Sequence, residues 1–337
     1  MISVTKAEQI SNIAFGFMAS KALFIALHCN IFSTLSKKPQ NAKTLAEEVG
    51  VPENRVTTIC TALTSIGLLI RKDDLFSNSQ GAEAFLVKGA SNDFGDYLRL
   101  QIDRQMYGFM QQLEGVFTGT MGPDDIDSYA KWMENEKEAH LYSESQHVGS
   151  LGPGRALSTM IDFSNVDHLL DVAGGTGGFA IRLCETNPNL RITILDFPNV
   201  VSLGRQKILE AGLSDRVNFI EGNALDYNWP TDVGAVLMSY LYNGVPGDEI
   251  PKLVAQSYKV MKPGGLYVVH DFMVEEDLSG PHLAALWQLQ HLSFTPTAKS
   301  ITSGWVSSLM ADAGFSKINI DELIPGMTKV VWGRKPS

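Results

Sequence analysis

The chain has 337 residues, which is more than one typical domain and enough for two. Hydrophobic residues make up 44% and charged residues 19%, the balance of a globular protein that buries a core rather than of a disordered chain. The net charge of −10 argues against a protein that binds nucleic acid through its phosphates, because such a protein needs a basic face. Cys29, Cys60 and Cys184 are widely spaced, which predicts neither a disulfide framework nor a zinc site.

Near the N-terminus, apolar residues recur at helical spacing over residues 6–35. The most apolar stretch, residues 13–32, is interrupted by Lys21 and His28, whereas a membrane span needs about 20 nearly uncharged residues. We interpret it as an amphipathic helix that buries its apolar face against a partner subunit. The polar first residues show no signal-peptide pattern, so we expect a cytoplasmic protein.

Residues 39–88 have the pattern of a winged helix-turn-helix. Asn41 or Thr44 can cap a helix that ends at Gly50, a second helix begins at Pro52, and the run LLIRKDDLFSNS predicts two short strands. Such a fold can bind DNA. However, the segment carries five Lys or Arg and six Asp or Glu residues, so contact with phosphates would gain little. We therefore predict a structural or dimerisation role.

From His168 onwards, short apolar runs (LLDVAG, RITILDF, VNFIEGN, GAVLMSY and GLYVVHDF) alternate with helical stretches, which indicates a parallel sheet with crossover helices. The last two runs, KINIDEL and KVVWGRK, are separated only by IPGMT and predict an antiparallel hairpin. The predicted fold class is α/β. A Rossmann-like, doubly wound and mostly parallel sheet with one antiparallel strand (residues 161–337) follows a mainly helical winged-helix domain that also forms a substrate lid (residues 1–160).

The strongest chemical signal is the run DVAGGTGGF at residues 171–179, which follows an apolar strand and opens a helix. Glycines let the backbone approach a ligand closely, and ligands bind beyond the carboxyl ends of the strands in such sheets. Gly175, Gly177 and Ala180 also fit the dinucleotide pattern, so the glycines alone leave NAD open. Asp171 directly before the glycines, with a closing hairpin instead of a second mononucleotide-binding half, favours S-adenosylmethionine.

The ends of the next strands supply further candidate contacts to this cofactor. Asp196 can accept hydrogen bonds from both ribose hydroxyls, Asn223 and Ala224 suit the adenine edge, and Ser239 ends the strand near the methionine part. The predicted cofactor-binding residues are Asp171, Gly174, Gly175, Gly177, Asp196, Phe197, Asn223, Ala224, Ser239 and Tyr240.

With these motifs the chain resembles the small-molecule methyltransferases that use S-adenosylmethionine, among them plant caffeate-type O-methyltransferases and bacterial polyketide- and pigment-modifying relatives. The resemblance rests on DVAGGTGGF, LDFP, EGNAL and MKPGGLYVVHD and covers nearly the whole chain. It implies a homodimer formed through the N-terminal domain and a small-molecule substrate. It implies no metal, nucleic acid or membrane partner.

One departure from the family pattern concerns the base. In the plant enzymes, a His-Asp pair after the fourth strand deprotonates the substrate hydroxyl, whereas Tyr242 and Asn243 stand at the matching positions here. A tyrosine with a pKa near 10 is a poor base at neutral pH. The change suits a nucleophile without a proton, such as a thioether sulfur, a substrate ionised in solution, or a base located elsewhere. For a thioether, the protein would contribute in-line positioning and exclusion of water.

The runs YLRLQIDRQMYG and YSESQHVGSLGPG, with the missing pair, resemble the enzymes that S-methylate 4-methylthio-2-hydroxybutyrate in bacterial dimethylsulfoniopropionate synthesis. That acceptor has a carboxylate and a hydroxyl, which implies a cation or polar donors in the pocket. Aromatic rings such as Trp287 would stabilise the sulfonium centres. No residue is assigned as a general base, and Tyr142, Gln146 and His270 are expected to position the substrate. The predicted substrate-binding residues are Arg104, Tyr107, Tyr142, Gln146, His147, His270 and His291.

Four alternatives to S-methylation remain open. The second hypothesis is an O-methyltransferase of a phenolic or polyketide molecule, with His270 as the base or with an ionised substrate. The third is an enzyme that keeps S-adenosylmethionine as an electrostatic cofactor. An NAD-dependent oxidoreductase and a DNA-binding regulator are the hypotheses from other classes, and the acidic balance counts against the regulator.

Overall fold

The computed structural model describes residues 3–90, 92–122, 124–126 and 128–337. It divides into two compact units, Met1–Tyr107 and Gly108–Ser337. The sequence placed the boundary later, between residues 160 and 161. The difference arises because the long helix Glu136–Met160, which the sequence assigned to the N-terminal domain, packs against helices of the second unit.

The first unit is mainly helical. Its strands β1 (Leu69–Lys72) and β2 (Leu75–Asn78) pair antiparallel. Its core includes the buried side chains of Phe32, Leu45 and Leu63. Its helices are α1 (Ala7–Ala14), α2 (Gly16–His28), α3 (Ile31–Lys37), α4 (Ala42–Val49), α5 (Glu53–Ser65), α6 (Gln80–Phe85) and the π-helix Tyr97–Met106.

The predicted helix-turn-helix elements and the strand pair form where the local signals placed them. The Asn41 side chain accepts a hydrogen bond from the Thr44 amide and caps α4, and Gly50, with φ 71°, ends it. Pro52 directly precedes α5. Asp73, with φ 55°, makes the turn between β1 and β2.

The apolar stretch over residues 13–32 is not the single helix that the sequence predicted. Helix α1 ends before Phe15, and Asn30, with φ 55°, stands in the left-handed region between α2 and α3, which no α-helix continues through. Within the described ranges, no single helix is long and apolar enough to span a membrane. Helices α1 and α2 together have the length and apolar composition of a span, but a 40° bend separates them.

The second unit contains a seven-stranded sheet in the order β5-β4-β3-β6-β7-β9-β8. The first five strands pair in parallel, and β9 runs antiparallel to both of its neighbours. This confirms the mostly parallel sheet with one reversed strand. The strands are β3 (His168–Val172), β4 (Arg191–Asp196), β5 (Val217–Glu221), β6 (Val233–Ser239), β7 (Met261–Asp271), β8 (Ser316–Ile324) and β9 (Thr328–Arg334).

Helices cover both faces of this sheet, so the central strands are apolar on both sides, as parallel strands usually are. Leu170 and Val172 belong to the core on one face, and Leu169 and Leu237 belong to the core on the other. The helices of the second unit are α8 (Leu113–Thr118), α9 (Tyr129–Glu134), α10 (Glu136–Met160), α11 (Gly178–Thr186), α12 (Pro198–Glu210), α13 (Ile250–Val260), α14 (His282–Leu292) and α15 (Ser303–Asp312), with short 3-10 helices at Ala224–Asp226 and Tyr242–Gly244. The short helix α7 (Tyr107–Phe109) begins at the last residue of the first unit.

Two glycines let α10 lie directly on the start of α11. A Cβ atom at Gly154 would stand 3.1 Å from the Phe179 Cα atom, and one at Gly178 would overlap the Ser150 hydroxyl. Larger residues at either position would therefore push the two helices apart. This close contact brings residues of α10 to the carboxyl end of β3.

Candidate functional site

A cavity of about 440 Å³ lies at the carboxyl ends of β3, β4 and β6 in the second unit. Residues of α9, α10 and α14 line it together with the strand ends. Among its described lining residues, Asp171 and Asp196 are the acidic side chains, and there is no lysine or arginine. The cavity therefore favours a ligand that carries positive charge near these two carboxylates.

The glycine-rich loop forms one wall of the cavity. Ala173 and Gly175 take left-handed backbone angles, with φ 57° and 61°, which folds the loop back sharply after β3. A Cβ atom at Gly174 would overlap the carboxylate of Asp171. The loop thus requires glycine at 174, and it holds backbone amides close to the Asp171 side chain.

The Asp171 carboxylate is almost fully buried, and neither of its oxygens has a hydrogen-bond partner. Burial, followed by the charge of Asp196, raises the pKa of Asp171 from its ordinary 3.8 to about 7. A buried and unpaired carboxylate is costly unless a positive group pairs with it. The ammonium of the methionine part of S-adenosylmethionine is such a group, so this position fits the cofactor.

Asp196, at the end of β4, is held by the backbone. It accepts hydrogen bonds from the amides of Gly175, at 2.8 Å, and Phe197, at 2.7 Å. Burial nevertheless raises the pKa of Asp196 to about 6. A fixed carboxylate that lines the cavity at this strand end fits a pair of ribose hydroxyls.

Phe197, Asn223, Ala224 and Leu225, where the sequence predicted contacts to the cofactor, all line the cavity. The Asn223 side chain accepts a hydrogen bond from the Leu225 amide at 2.9 Å and caps the following 3-10 helix. The turn therefore presents the backbone and the Leu225 side chain to the cavity, and the oxygen of Asn223 serves the turn itself.

Two of the predicted contacts, Gly177 and His147, support the loop instead of lining the cavity. Gly177, with φ 86°, packs so closely that a Cβ atom there would stand 2.9 Å from Ile208. His147 Nδ1 lies 2.8 Å from the hydroxyl of Thr176, inside the glycine-rich loop. Burial, and then the charge of Lys207, lower the pKa of His147. A neutral His147 therefore steadies the loop from α10.

His270 was predicted to position the substrate, and the structure places it in the core instead. It is completely buried and does not line the cavity. Its Nδ1 lies 2.8 Å from the Ser239 hydroxyl and its Nε2 lies 2.9 Å from the Thr328 hydroxyl. Burial lowers its pKa to about 3. With both ring nitrogens engaged, His270 has no free atom for a substrate.

Tyr242 and Asn243, where the resemblance expects a His-Asp pair, also point away from the cavity. The Tyr242 and Tyr267 hydroxyls lie 2.5 Å apart in the core. The Asn243 amide donates a hydrogen bond to Asp271 at 2.6 Å, and burial raises the pKa of Asp271 to about 6. This pair thus holds the ends of β6 and β7 together.

The wall of the cavity formed by α9, α10 and the residues after α14 is neutral and aromatic. Gln146 donates a hydrogen bond to the Tyr142 hydroxyl at 3.0 Å, so these two predicted residues share one face of α10. The ring centroid of Tyr129 lies 5.6 Å from that of Tyr142 and 6.1 Å from that of Phe294. Mainly through burial, the pKa of Tyr142 rises to about 12 and that of Tyr129 well above 10, so both hydroxyls stay protonated.

The sequence missed Tyr129 and Phe294. The available signal for Tyr129 was Ser128, whose side chain caps α9 and fixes where that tyrosine stands. Nothing local marked Phe294, which follows the last turn of α14.

The remaining predicted substrate residues fall in three places. His291, on α14, lines the cavity. Arg104, on the π-helix, and Tyr107 belong to the first unit, and their contact with a substrate stays a prediction. Trp287 stacks on Phe272 at 4.6 Å and is not among the cavity residues. Across the described parts of the chain, no group of His, Cys, Asp or Glu residues is placed to hold a metal ion.

Comparison with known protein families identifies the family of this chain. Residues 109–316 match the O-methyltransferase domain, and residues 11–88 match the O-methyltransferase dimerisation domain. This chain belongs to the O-methyltransferase family. The predictions of an enzyme, of methyl transfer and of S-adenosylmethionine as cofactor are thereby confirmed.

Individual relatives of this methyltransferase align over most of their length. It is 26% identical to 3-hydroxy-5-methyl-1-naphthoate 3-O-methyltransferase of Streptomyces sahachiroi, over 97% of this chain and 94% of that protein. It is 25% identical to the tetracenomycin polyketide synthesis 8-O-methyl transferase TcmO of Streptomyces glaucescens, over 97% of this chain and 96% of that protein.

Solved structures share the whole fold of the chain. Human N-acetylserotonin methyltransferase in complex with SAM superimposes with a TM-score of 0.84 at 20% identity, covering all of both chains. PigF with SAH superimposes with a TM-score of 0.85 at 22% identity, covering 98% of this chain and 100% of that one. The sheet described above is therefore the methyltransferase sheet.

Proposed function

We propose that this methyltransferase binds S-adenosylmethionine at the acidic end of its cavity and a small acceptor at the aromatic end. The observation that carries the proposal is the contrast between two groups of cavity residues: two buried carboxylates at the strand ends, and neutral tyrosine hydroxyls with Phe294 on the helical wall. The bound cofactor supplies an electrophilic methyl group on a positively charged sulfur. The protein's own part is to hold the two molecules in line and to exclude water.

For the acceptor, we propose first a hydroxyl of a phenolic or polyketide molecule. The family assignment and the two O-methylating relatives of 25–26% identity support this choice. The flat aromatic side chains of Tyr129, Tyr142 and Phe294 suit a planar ring by stacking or edge contact. We also propose that the enzyme acts as a cytoplasmic homodimer, which the matched dimerisation domain supports.

A second candidate acceptor is the thioether of 4-methylthio-2-hydroxybutyrate. One specific observation favours it: the interior that raises the pKa of Tyr129 and Tyr142 would also oppose the ionisation of a bound phenol. A thioether has no proton to lose, and Tyr242 and Asn243 offer no base to the cavity. Its carboxylate would find no lysine or arginine among the described cavity residues, so it would rely on polar donors such as Gln146.

A competition experiment separates the two acceptors. The purified protein is incubated with S-adenosylmethionine and equimolar 4-methylthio-2-hydroxybutyrate and 3-hydroxy-1-naphthoate, and the products are identified by mass spectrometry. A methoxynaphthoate supports the O-methyltransferase, and a dimethylsulfonio product supports the S-methyltransferase. Asp196→Ala must abolish the product, whereas Asp312→Ala, exposed on α15, must not. If neither acceptor is methylated, both acceptor proposals are wrong.

A further inference from the structure

His291 is the histidine that lines the cavity within the described part of the chain. It is about nine-tenths buried, and its Nδ1 atom has no hydrogen-bond partner. Buried polar atoms are nearly always paired in folded proteins, so an unpaired nitrogen on a residue that lines a ligand cavity marks a place where a ligand group belongs. Within the described part of the chain, no group forms a hydrogen bond with this nitrogen.

The side chain of His291 is held firmly in place. Its ring centroid lies 5.1 Å from that of Phe294 and 6.0 Å from that of Trp287, both nearly edge-on. The Thr295 hydroxyl, one turn later, donates a hydrogen bond to the Gly244 carbonyl at 3.1 Å. The end of α14 is therefore tied to the segment that follows β6, and the imidazole has little freedom to turn away.

Gly244 shows which region the imidazole faces. A Cβ atom added at Gly244 would stand 3.7 Å from His291 Nδ1, so the edge of the ring that carries Nδ1 lies beside the backbone at Gly244. Gly244 directly follows Tyr242 and Asn243, the positions at which the resemblance expects the catalytic pair. A histidine from α14 thus reaches the neighbourhood that those two residues have left.

We propose that His291 is a catalytic residue whose Nδ1 binds a hydroxyl group of the acceptor. The inference rests on the proposed function and adds the group that recognises the substrate. When that hydroxyl is the nucleophile, its oxygen forms the new bond to the methyl carbon and the carbon–sulfur bond of the cofactor breaks. The bonding electron pair stays on sulfur, and the proton passes to Nδ1 and then to water. With the thioether acid, Nδ1 binds the 2-hydroxyl and takes up no proton.

The low polarity around His291 agrees with its role as a hydrogen-bond acceptor and makes any proton uptake by the ring transient. Burial lowers its pKa to about 3, so the ring is neutral and its nitrogen lone pair is available to accept a hydrogen bond at neutral pH. The other titratable side chains that line the cavity are those of Tyr129, Tyr142 and Tyr240 and the two carboxylates at the strand ends; Tyr129 and Tyr142 stay protonated. None of these is a free proton acceptor beside Gly244.

The test compares His291→Leu and His291→Asn with His282→Gln, a change at an exposed histidine on the same helix. Catechol and 2-hydroxybutyrate, each carrying a hydroxyl, are titrated calorimetrically into protein saturated with S-adenosylhomocysteine. We expect His291→Leu to weaken binding of the accepted probe about 10-fold or more, the value of one buried hydrogen bond, and His291→Asn to restore much of it. S-adenosylhomocysteine itself should bind all variants within a factor of about 2, because Asp171 and Asp196 hold it.

Turnover adds a second readout for whichever acceptor the enzyme methylates. With a hydroxyl nucleophile, His291→Asn should keep KM and lose about 100-fold or more in kcat, because an amide cannot take up the proton. With the thioether acid, His291→Asn should keep both. Unchanged probe binding in His291→Leu, or failure of both probes to bind the wild-type complex, would overturn the inference. A wild-type protein that binds a probe through His291 but methylates no acceptor would refute the proposed function alone.

Discussion

Replacing Asp171 by asparagine should make the ligand-free protein more stable and the enzyme unable to hold its cofactor. The carboxylate is buried and unpaired, and its pKa of about 7 lies far above the ordinary 3.8. That difference corresponds to at most about 4 kcal/mol of free energy that the folded state loses when Asp171 ionises. Because the folded pKa is raised, this loss is absent below about pH 4, grows as the pH rises, and is complete above about pH 7.

An asparagine of the same shape removes the charge but buries an unpaired amide, which costs about 2 kcal/mol. We therefore expect Asp171→Asn to raise the free energy of unfolding by about 2 kcal/mol at pH 8, where the removed penalty exceeds the amide cost, and to lower it by about 2 kcal/mol at pH 4, where only the amide cost remains. The opposite should happen to the cofactor. Without the carboxylate, its ammonium loses a buried ion pair, and the affinity for S-adenosylmethionine should fall about 100-fold or more.

Urea denaturation of ligand-free protein at the two pH values measures the first effect, and calorimetric titration with S-adenosylmethionine at pH 8 measures the second. Asp312→Asn, at an exposed site on α15, is the matched control and should change neither quantity. If Asp171→Asn were less stable than wild type at pH 8 and still bound the cofactor normally, the assignment of Asp171 as the buried partner of the ammonium would be refuted.

Three further predictions follow from other contacts. Cofactor affinity should rise from pH 5.5 to pH 8, because Asp171 and Asp196, with pKa values of about 7 and 6, must ionise and release protons. Calorimetric titrations in two buffers of different ionisation enthalpy measure the proton release. An affinity that does not change with pH would contradict the prediction. Gly178→Ala should destabilise the protein by about 2 kcal/mol, because the added Cβ atom clashes with Ser150. The double variant with Ser150→Gly should recover most of this loss in the same denaturation assay. If stability does not recover, the contact between these two residues is not the cause. His270→Leu should cost about 2 kcal/mol of stability, because it strands two buried hydroxyls, and should leave the acceptor KM unchanged; a raised KM with unchanged stability would return His270 to the substrate site.

Local signals in the sequence were sufficient for most of the framework. Alternating apolar runs located all seven strands of the sheet, and the short IPGMT connection located the reversed strand. The helix ends at Asn41 and Gly50 were equally readable, because a cap depends on a few neighbouring residues. The cofactor end was also predictable, since parallel strands bring their carboxyl ends, here Asp171 and Asp196, to one edge of the sheet.

The sequence could not say which way the histidines face. His147 and His270 were both predicted to contact the substrate, yet one hydrogen-bonds to the glycine-rich loop and the other to two hydroxyls in the core. Of the three histidines predicted to bind the substrate, His291 is the one among the described cavity residues. At a strand end or on a buried helix, the direction of a side chain is decided by partners far away in the chain, such as Thr328 for His270.

The sequence by itself therefore determined the order of the elements, the glycine-rich loop and the two carboxylates that line the cavity at the strand ends. Only the tertiary structure decided the acceptor end, where Tyr129 from α9, Tyr142 from α10 and Phe294 after α14 meet. The physical reason is the range of the interactions. Periodicity, caps and glycine conformations act between near neighbours, whereas an acceptor pocket is a packing of side chains that are remote in sequence.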